Sequence, residues 1–181
     1  MRKTLLAMGV VLAASSSVAM AESQTMMSNF SYDYMEARIG ISPVTYGGAI
    51  SKSIHPNAHL IAHLDTEFER DLDLGAGVGF HAPVNNWADM FGELKMRMFN
   101  DRNNKSSGDW GMEINLGVRQ WLGPQLEVAG KVGHSTVGSE DKTFGMVTGR
   151  FHATELFSIG VEGRFNYTYD DQIMVTTRFK F

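Results

Sequence analysis

A closed, up-and-down antiparallel transmembrane β-barrel is the fold class this sequence predicts, and three observations predict it. An export signal opens the chain. Apolar residues recur with a period of two along nearly every later segment, and the chain ends on an aromatic, Phe181, reached through alternating apolar positions.

The export signal is read first because it fixes the compartment. Met1-Arg2-Lys3 is a short cationic start, Thr4 to Ala14 an apolar run, and Ala19-Met20-Ala21 a small-x-small cleavage site followed by polar Glu22-Ser23-Gln24. The apolar run falls short of the roughly 20 residues a spanning helix needs. Residues 1–21 are therefore expected to be a signal peptide cleaved after Ala21, leaving 22–181 as a single outer-membrane barrel domain. Removing Arg2 and Lys3 changes the formal charge from −4 to −6. The acidic mature chain lacks the basic surplus of a nucleic-acid binder. It has no cysteine, so disulfides, thiol catalysis and thiolate metal sites are excluded.

The strands follow from the alternation. In Phe157 to Tyr169, Phe157, Ile159, Val161, Phe165 and Tyr167 share one face, while Ser158, Glu162, Arg164 and Asn166 share the other. From Gln172 to Phe181, Ile173, Val175, Phe179 and Phe181 oppose Gln172, Arg178 and Lys180. Met112, Ile114, Leu116 and Val118 oppose Glu113, Asn115 and Arg119. Met90, Leu94, Met96 and Met98 oppose Glu93, Lys95 and Arg97, and Leu60, Ala62, Leu64 and Phe68 oppose His59, His63, Asp65 and Glu67. With turn signals between them, strands are expected at 33–42, 45–54, 58–68, 72–82, 88–100, 109–122, 125–136, 143–153, 157–168 and 171–181. Ten is an even number, as such barrels require, with eight as the alternative if 45–54 does not span.

Tight connections (His55 to Asn57, Pro83 to Asn86, Gly123-Pro124, Thr154 to Leu156) alternate with longer polar ones (Glu69 to Asp71, Asp101 to Gly108, Val137 to Lys142). Short turns on the periplasmic side and longer loops outside would give this alternation. A soluble barrel also has two alternating faces, so the charged face must choose. Glu36/Arg38, Glu93/Lys95/Arg97, Glu127/Lys131 and Glu162/Arg164 put both signs on one face, which suits a lumen. Glycines such as Gly75, Gly77 and Gly79 on the fourth strand are expected to leave local space there. Aromatics near strand ends (Tyr46, Phe80, Trp87, Trp110, Phe144, Phe151, Phe157, Tyr167 and Tyr169) suggest interfacial girdles.

The alternating C-terminal segment ending in Phe181 resembles the signal by which outer-membrane barrels are recognised by their assembly machinery. The whole mature chain resembles small outer-membrane barrels of the OmpA-like and opacity-type surface families. More narrowly, Phe30 to Glu36, Ile54 to Asn57 and Leu74 to Phe80 resemble a small exported family once proposed as a secreted signal and immune elicitor. These resemblances imply an outer-membrane surface protein, assembled through Phe181, in contact with lipid and lipopolysaccharide. A monomer is expected.

Few constellations suggest chemistry. His59 and His81 fall almost opposite each other on the lumen face, with His63 one pleat repeat further along and Asp65 nearby, but no metal set is expected from them. The acids Glu67, Glu69, Asp71, Asp73, Asp101, Asp109, Glu140, Asp141, Asp170 and Asp171 read as a solvated rim. That rim lacks the histidine which a ten-stranded outer-membrane protease family uses with its acids. His134, with Thr136 on the same face and Glu140 in the next loop, is slightly similar to the His, Ser and Glu set of an outer-membrane lipid A deacylase, with Thr136 at the serine position. No catalytic, cofactor or metal residue is assigned, and no cofactor is expected. The expected function is non-enzymatic: a surface or structural barrel serving envelope integrity, adhesion or host contact. A narrow channel and a lipid A-modifying enzyme are the alternatives.

Overall fold

The computed structural model describes residues 29–68, 71–100, 108–138 and 140–181; the expected signal peptide lies outside them. The strands are β1 (Tyr34–Gly40), β2 (Tyr46–His55), β3 (Ala58–Thr66), β4 (Leu72–Asn85), β5 (Ala88–Asn100), β6 (Asp109–Trp121), β7 (Leu126–Val137), β8 (Glu140–His152), β9 (Phe157–Tyr167) and β10 (Asp170–Lys180). Each pairs antiparallel with its sequence neighbours, and β1 pairs with β10, from Tyr34↔Lys180 to Gly40↔Met174, to close the barrel. Closure leaves no free edge. β2 pairs along its length with both β1 and β3, so the eight-stranded alternative falls away.

Alternation decides the two faces. Met35, Leu94, Met96, Met112, Ile114, Leu116, Val132, Val147, Val161 and Ile173 point out and are exposed, while Glu36, Glu93, Lys95, Arg97, Glu113, Arg119, Glu127, Arg150, Glu162 and Arg164 point in and are buried. This inversion of the soluble pattern is that of a transmembrane barrel. A charge on the outer face near the midplane would cost about 2–4 kcal/mol. Lys52 is an outward-facing cation close to the end at which β1 starts and β10 finishes, here called the terminal end. It lies 5.0 Å from the centre of the Phe181 ring and 3.6 Å from Asp33, as a snorkelling side chain would.

Three expectations need correction. The longer polar loop expected over 137–142 is a two-residue connection, because β7 runs on to Val137 and β8 starts at Glu140; Gly138, at φ 63°, provides the left-handed residue this turn needs. The turn expected at Pro83 to Asn86 shrinks likewise, because β4 extends to Asn85 through a register shift beside Pro83, a position where a strand tolerates proline. Connection lengths therefore alternate as expected through the first half of the chain only.

The third correction concerns the girdle. Tyr46, Phe80, Trp87, Trp110 and Phe151 are exposed, but Phe144 and Tyr167 are buried in the lumen. Asn166 is the cause for Tyr167: at φ 54° it breaks the pleat, so Phe165 and Asn166 both face out and Tyr167 turns in. The Tyr169 hydroxyl also points inward, to the Asp65 carbonyl.

Candidate functional site in the barrel lumen

The inward faces of ten strands meet in a lumen too narrow for unpaired charges, and the side chains pair across it. Glu113 of β6 accepts from Lys95 Nζ at 2.7 Å, lies 3.3 Å from Arg97 Nη1, and receives the Tyr167 hydroxyl at 2.9 Å. Arg97 also grips Asp73 and donates to Ser135 Oγ at 3.2 Å. Asp65 takes Arg38 and Arg164, each at 3.0 Å, and Arg164 reaches Glu162 at 2.7 Å. Glu93 is shared by Lys95 and Lys131, Glu36 by Arg150 and Arg178, and Glu127 by Arg119 and His152. Glu93, Lys95 and Arg97 thus lie inward as expected. Arg119, on the same inner face, pairs with Glu127 of β7.

The glycines of β4 do not leave empty space. Gly79 sits opposite His59 and Gly75 opposite His63 in the register, and the room each missing Cβ leaves is filled by the partner's imidazole. Phe91 over Gly117 and Phe144 over Gly133 repeat the device. A ring laid over a cross-strand glycine packs a narrow barrel without pushing its wall outward. Among the described residues the lumen also holds a polar cavity of about 80 Å³ bordered by Tyr34, Glu93, Arg119, Lys131, Arg150 and Glu162, among others, which is room for a few waters.

His63, Asp65 and Asp73 converge, all buried, with donor atoms within 4.8 Å of one another. Arginines already hold both carboxylates: Arg38 and Arg164 on Asp65, Arg97 on Asp73. A cation there would face three guanidiniums, so the cluster is an ion-pair lattice. Asp73, placed by the sequence on a solvated rim, is fully buried in it. Asp141, Asp170 and Asp171 are exposed as the rim reading had them; Glu69, Asp101 and the Glu140 side chain lie outside the described residues.

His134 faces outward, but its Nδ1 meets Thr143 Oγ1 at 3.1 Å across the strand pair, while Thr136 Oγ1 turns to the Met112 carbonyl. The imidazole and the hydroxyl of the deacylase comparison are therefore not paired. His152 belongs to the terminal end, on Glu127.

Sequence reasoning missed the residues that shut the terminal mouth. The segment 29–33 runs as a strap from its anchor beside β2 and β10 to the opposite wall. Asp33 accepts the Ser53 N–H at 2.6 Å and Asn29 donates to the Asn86 carbonyl at 2.7 Å. Phe30 stacks on Trp121 at 5.3 Å, and Tyr32 on His81 at 3.7 Å and His59 at 4.7 Å. The Arg119 guanidinium lies over both strap rings, and the Tyr32 hydroxyl donates to Asp89. Burial pushes the Tyr32 phenol well above its ordinary pKa, so it stays a neutral donor. The available signal was Phe30 and Tyr32 at a spacing of two just ahead of the first strand, in step with Tyr34.

No protein-family model matches the chain, and no curated protein sequence matches it either. Among solved structures the fold is similar to that of the KdgM porin, with a TM-score of 0.52 and 8% identity over 82% of this chain and 99% of that one; a KdgM porin in complex with disordered oligogalacturonate gives the same values. At that identity the likeness concerns the barrel. It supports a ten-stranded outer-membrane type and not specifically the OmpA-like or opacity-type families of the sequence comparison. OmpA-type barrels have eight strands.

Proposed function

We propose that this chain is a non-enzymatic outer-membrane barrel with a lumen closed to solutes, acting as a structural or surface element of the cell envelope. The ion-pair lattice carries the reading: Glu36, Asp65, Asp73, Glu93, Glu113, Glu127 and Glu162 each hold a cationic partner inside the barrel. A conducting pore needs water where these groups touch, and breaking one buried pair costs about 3–5 kcal/mol. The outward apolar belt supports insertion in a membrane, and Phe181 at the barrel seam supports recognition by assembly machinery. The exposure of Asp141, Asp170 and Asp171 at the far end supports a reading in which they meet lipopolysaccharide through bridging divalent cations.

The test is conductance. Purified protein in a planar bilayer should be silent, and Arg97→Ala should leak; large, stable, ohmic conductance from the wild type overturns the closed reading. Fractionation tests the address: the protein should sit in the outer membrane, cleaved after Ala21, and migrate anomalously until boiled. A freely soluble periplasmic monomer would refute it. Phe181→Ala should lower the amount of folded barrel far more than Ile54→Ala does, and equal amounts would remove the assembly role.

A second reading, a narrow channel, is favoured by the polar cavity and by likeness to a porin fold. The KdgM porin was solved with an acidic saccharide, oligogalacturonate. A comparable anion would have to compete here with carboxylates already seated on the lumen cations.

A further inference from the structure

The strap is held by a contact with an unusual proton requirement. His59 Nδ1 and His81 Nδ1 face each other at 3.4 Å, with ring centroids 5.5 Å apart, and the Tyr32 ring stacks on both imidazoles. Such an N···N contact works only if one nitrogen donates and the other accepts. With neither or one imidazolium the pair supplies both roles. With two, both nitrogens carry protons and two positive rings are pressed together beneath one aromatic ring that already carries the Arg119 guanidinium at 5.0 Å.

We propose that His59 and His81 form an acid-released latch for the strap, so that charging both imidazoles expels Tyr32 and opens the terminal mouth. The groups around the pair set the order of events. The carboxylates acting on the pair are Glu93 and Asp89 of β5 and Asp33 of the strap, and the cation beside it is Arg119 of β6, over the Tyr32 ring. The turn before β3 is tied to His81 through its backbone, whose N–H donates to the Asn57 carbonyl at 3.0 Å, while Asp89 also holds the Tyr32 hydroxyl. The first proton is shared within the pair. The second has no acceptor between the rings, and it is relieved by separating them and letting water in. Tyr32 is the lid on that separation, and Phe30, stacked on Trp121 only two residues earlier, moves with it.

The chain has no cysteine, so Ser31→Cys gives a single thiol on the strap for a nitroxide label. In the folded, detergent-solubilised barrel the label should be immobile at neutral pH. Its mobile component should become dominant only as the pH falls below the ordinary imidazole range, because the second proton goes onto a ring that already faces an imidazolium and the Arg119 guanidinium, and the change should reverse. His81→Gln leaves one imidazole and should abolish this transition while keeping the label immobile. His134→Gln, on the outer face and away from both the strap and the lumen, should leave it unchanged. A label that stays immobile in the wild type at every pH at which the barrel stays folded, or an unaltered transition in His81→Gln, overturns the latch. Anomalous gel migration at each pH shows that the barrel itself stays folded. Because the readout is strap mobility, a bilayer that is silent at every pH tells against a channel and leaves the latch standing.

Discussion

At the far end of the lumen Asp73, Arg97, Glu113, Arg164 and Asp65 lock five strands together by charge, around the buried Tyr167 ring on which both guanidiniums lie. At the terminal end Phe30, Tyr32, Trp121, His59 and His81 stack as rings, with Arg119 lying over two of them. The far end is built from wall residues whose positions the sheet fixes; the terminal end depends on five residues before the first strand. A lattice of buried charges has no intermediate state, since removing one member strands another. A stack of rings on a tethered strap can leave as a unit. The difference assigns permanence to one mouth and mobility to the other.

The largest effect that would break this contrast concerns Glu113. It serves Lys95, Arg97 and the Tyr167 hydroxyl, so Glu113→Gln leaves two buried cations short of a counter-charge. A loss of about 3–5 kcal/mol is expected, read as a lower urea midpoint for the heat-modifiable form. A variant as stable as wild type would mean that water, and not ion pairing, fills the far end.

Next comes the neighbouring residue on the opposite face. Ile114 is 60% exposed toward the membrane, and Ile114→Arg should cost about 2–4 kcal/mol in lipid. The same substitution in a soluble barrel would be nearly silent. Comparing unfolding in bilayers of this variant and of wild type therefore sharpens the distinction between the inner and outer faces.

A smaller loss is expected for Phe30→Ala, about 1–3 kcal/mol from lost burial and stacking on Trp121. It should free a Ser31→Cys spin label at neutral pH without changing barrel migration. A label that stays immobile would show that Asn29 and Asp33 alone hold the strap.

How much of this was legible in the sequence follows from what each feature depends on. The pleat sends Leu94 out and Lys95 in whatever lies opposite, so faces, strand number and inward charge could be read from spacing of two. Partner choice could not: Arg119 selects Glu127 on β7, and Arg164 reaches Asp65 across the barrel, contacts set by closure and register. Tyr167 escaped because one residue, Asn166, leaves the pleat. The strap escaped because nothing local says that a short aromatic segment before a strand folds back across a mouth. Likewise, Gly75 and Gly79 suggested space until the register placed His63 and His59 over them.

The smallest effect separates the strap's two ends. At the anchor, partial burial alone would raise the Asp33 pKa, but the Ser53 N–H and the Lys52 ammonium outweigh it and hold the carboxyl below its ordinary value. A carboxyl depressed in the folded state contributes stability that is present above its unfolded pKa and is lost as the pH falls through the folded one. The anchor therefore stays intact through the imidazole range and while the His59–His81 latch lets go below it, and weakens only in stronger acid. The pair is half exposed to solvent, so its worth is about 0.2–1 kcal/mol. In the spin-labelled wild type this predicts two steps: a release of the ring end below the ordinary imidazole range, then a further gain in mobility below the ordinary carboxylate range. Asp33→Asn should remove the second step and keep the first, moved slightly because the Asp33 carboxylate also acts on His59. If it abolished the first step instead, the anchor and the latch would be one coupled unit, and the two ends of the strap would have to be described together.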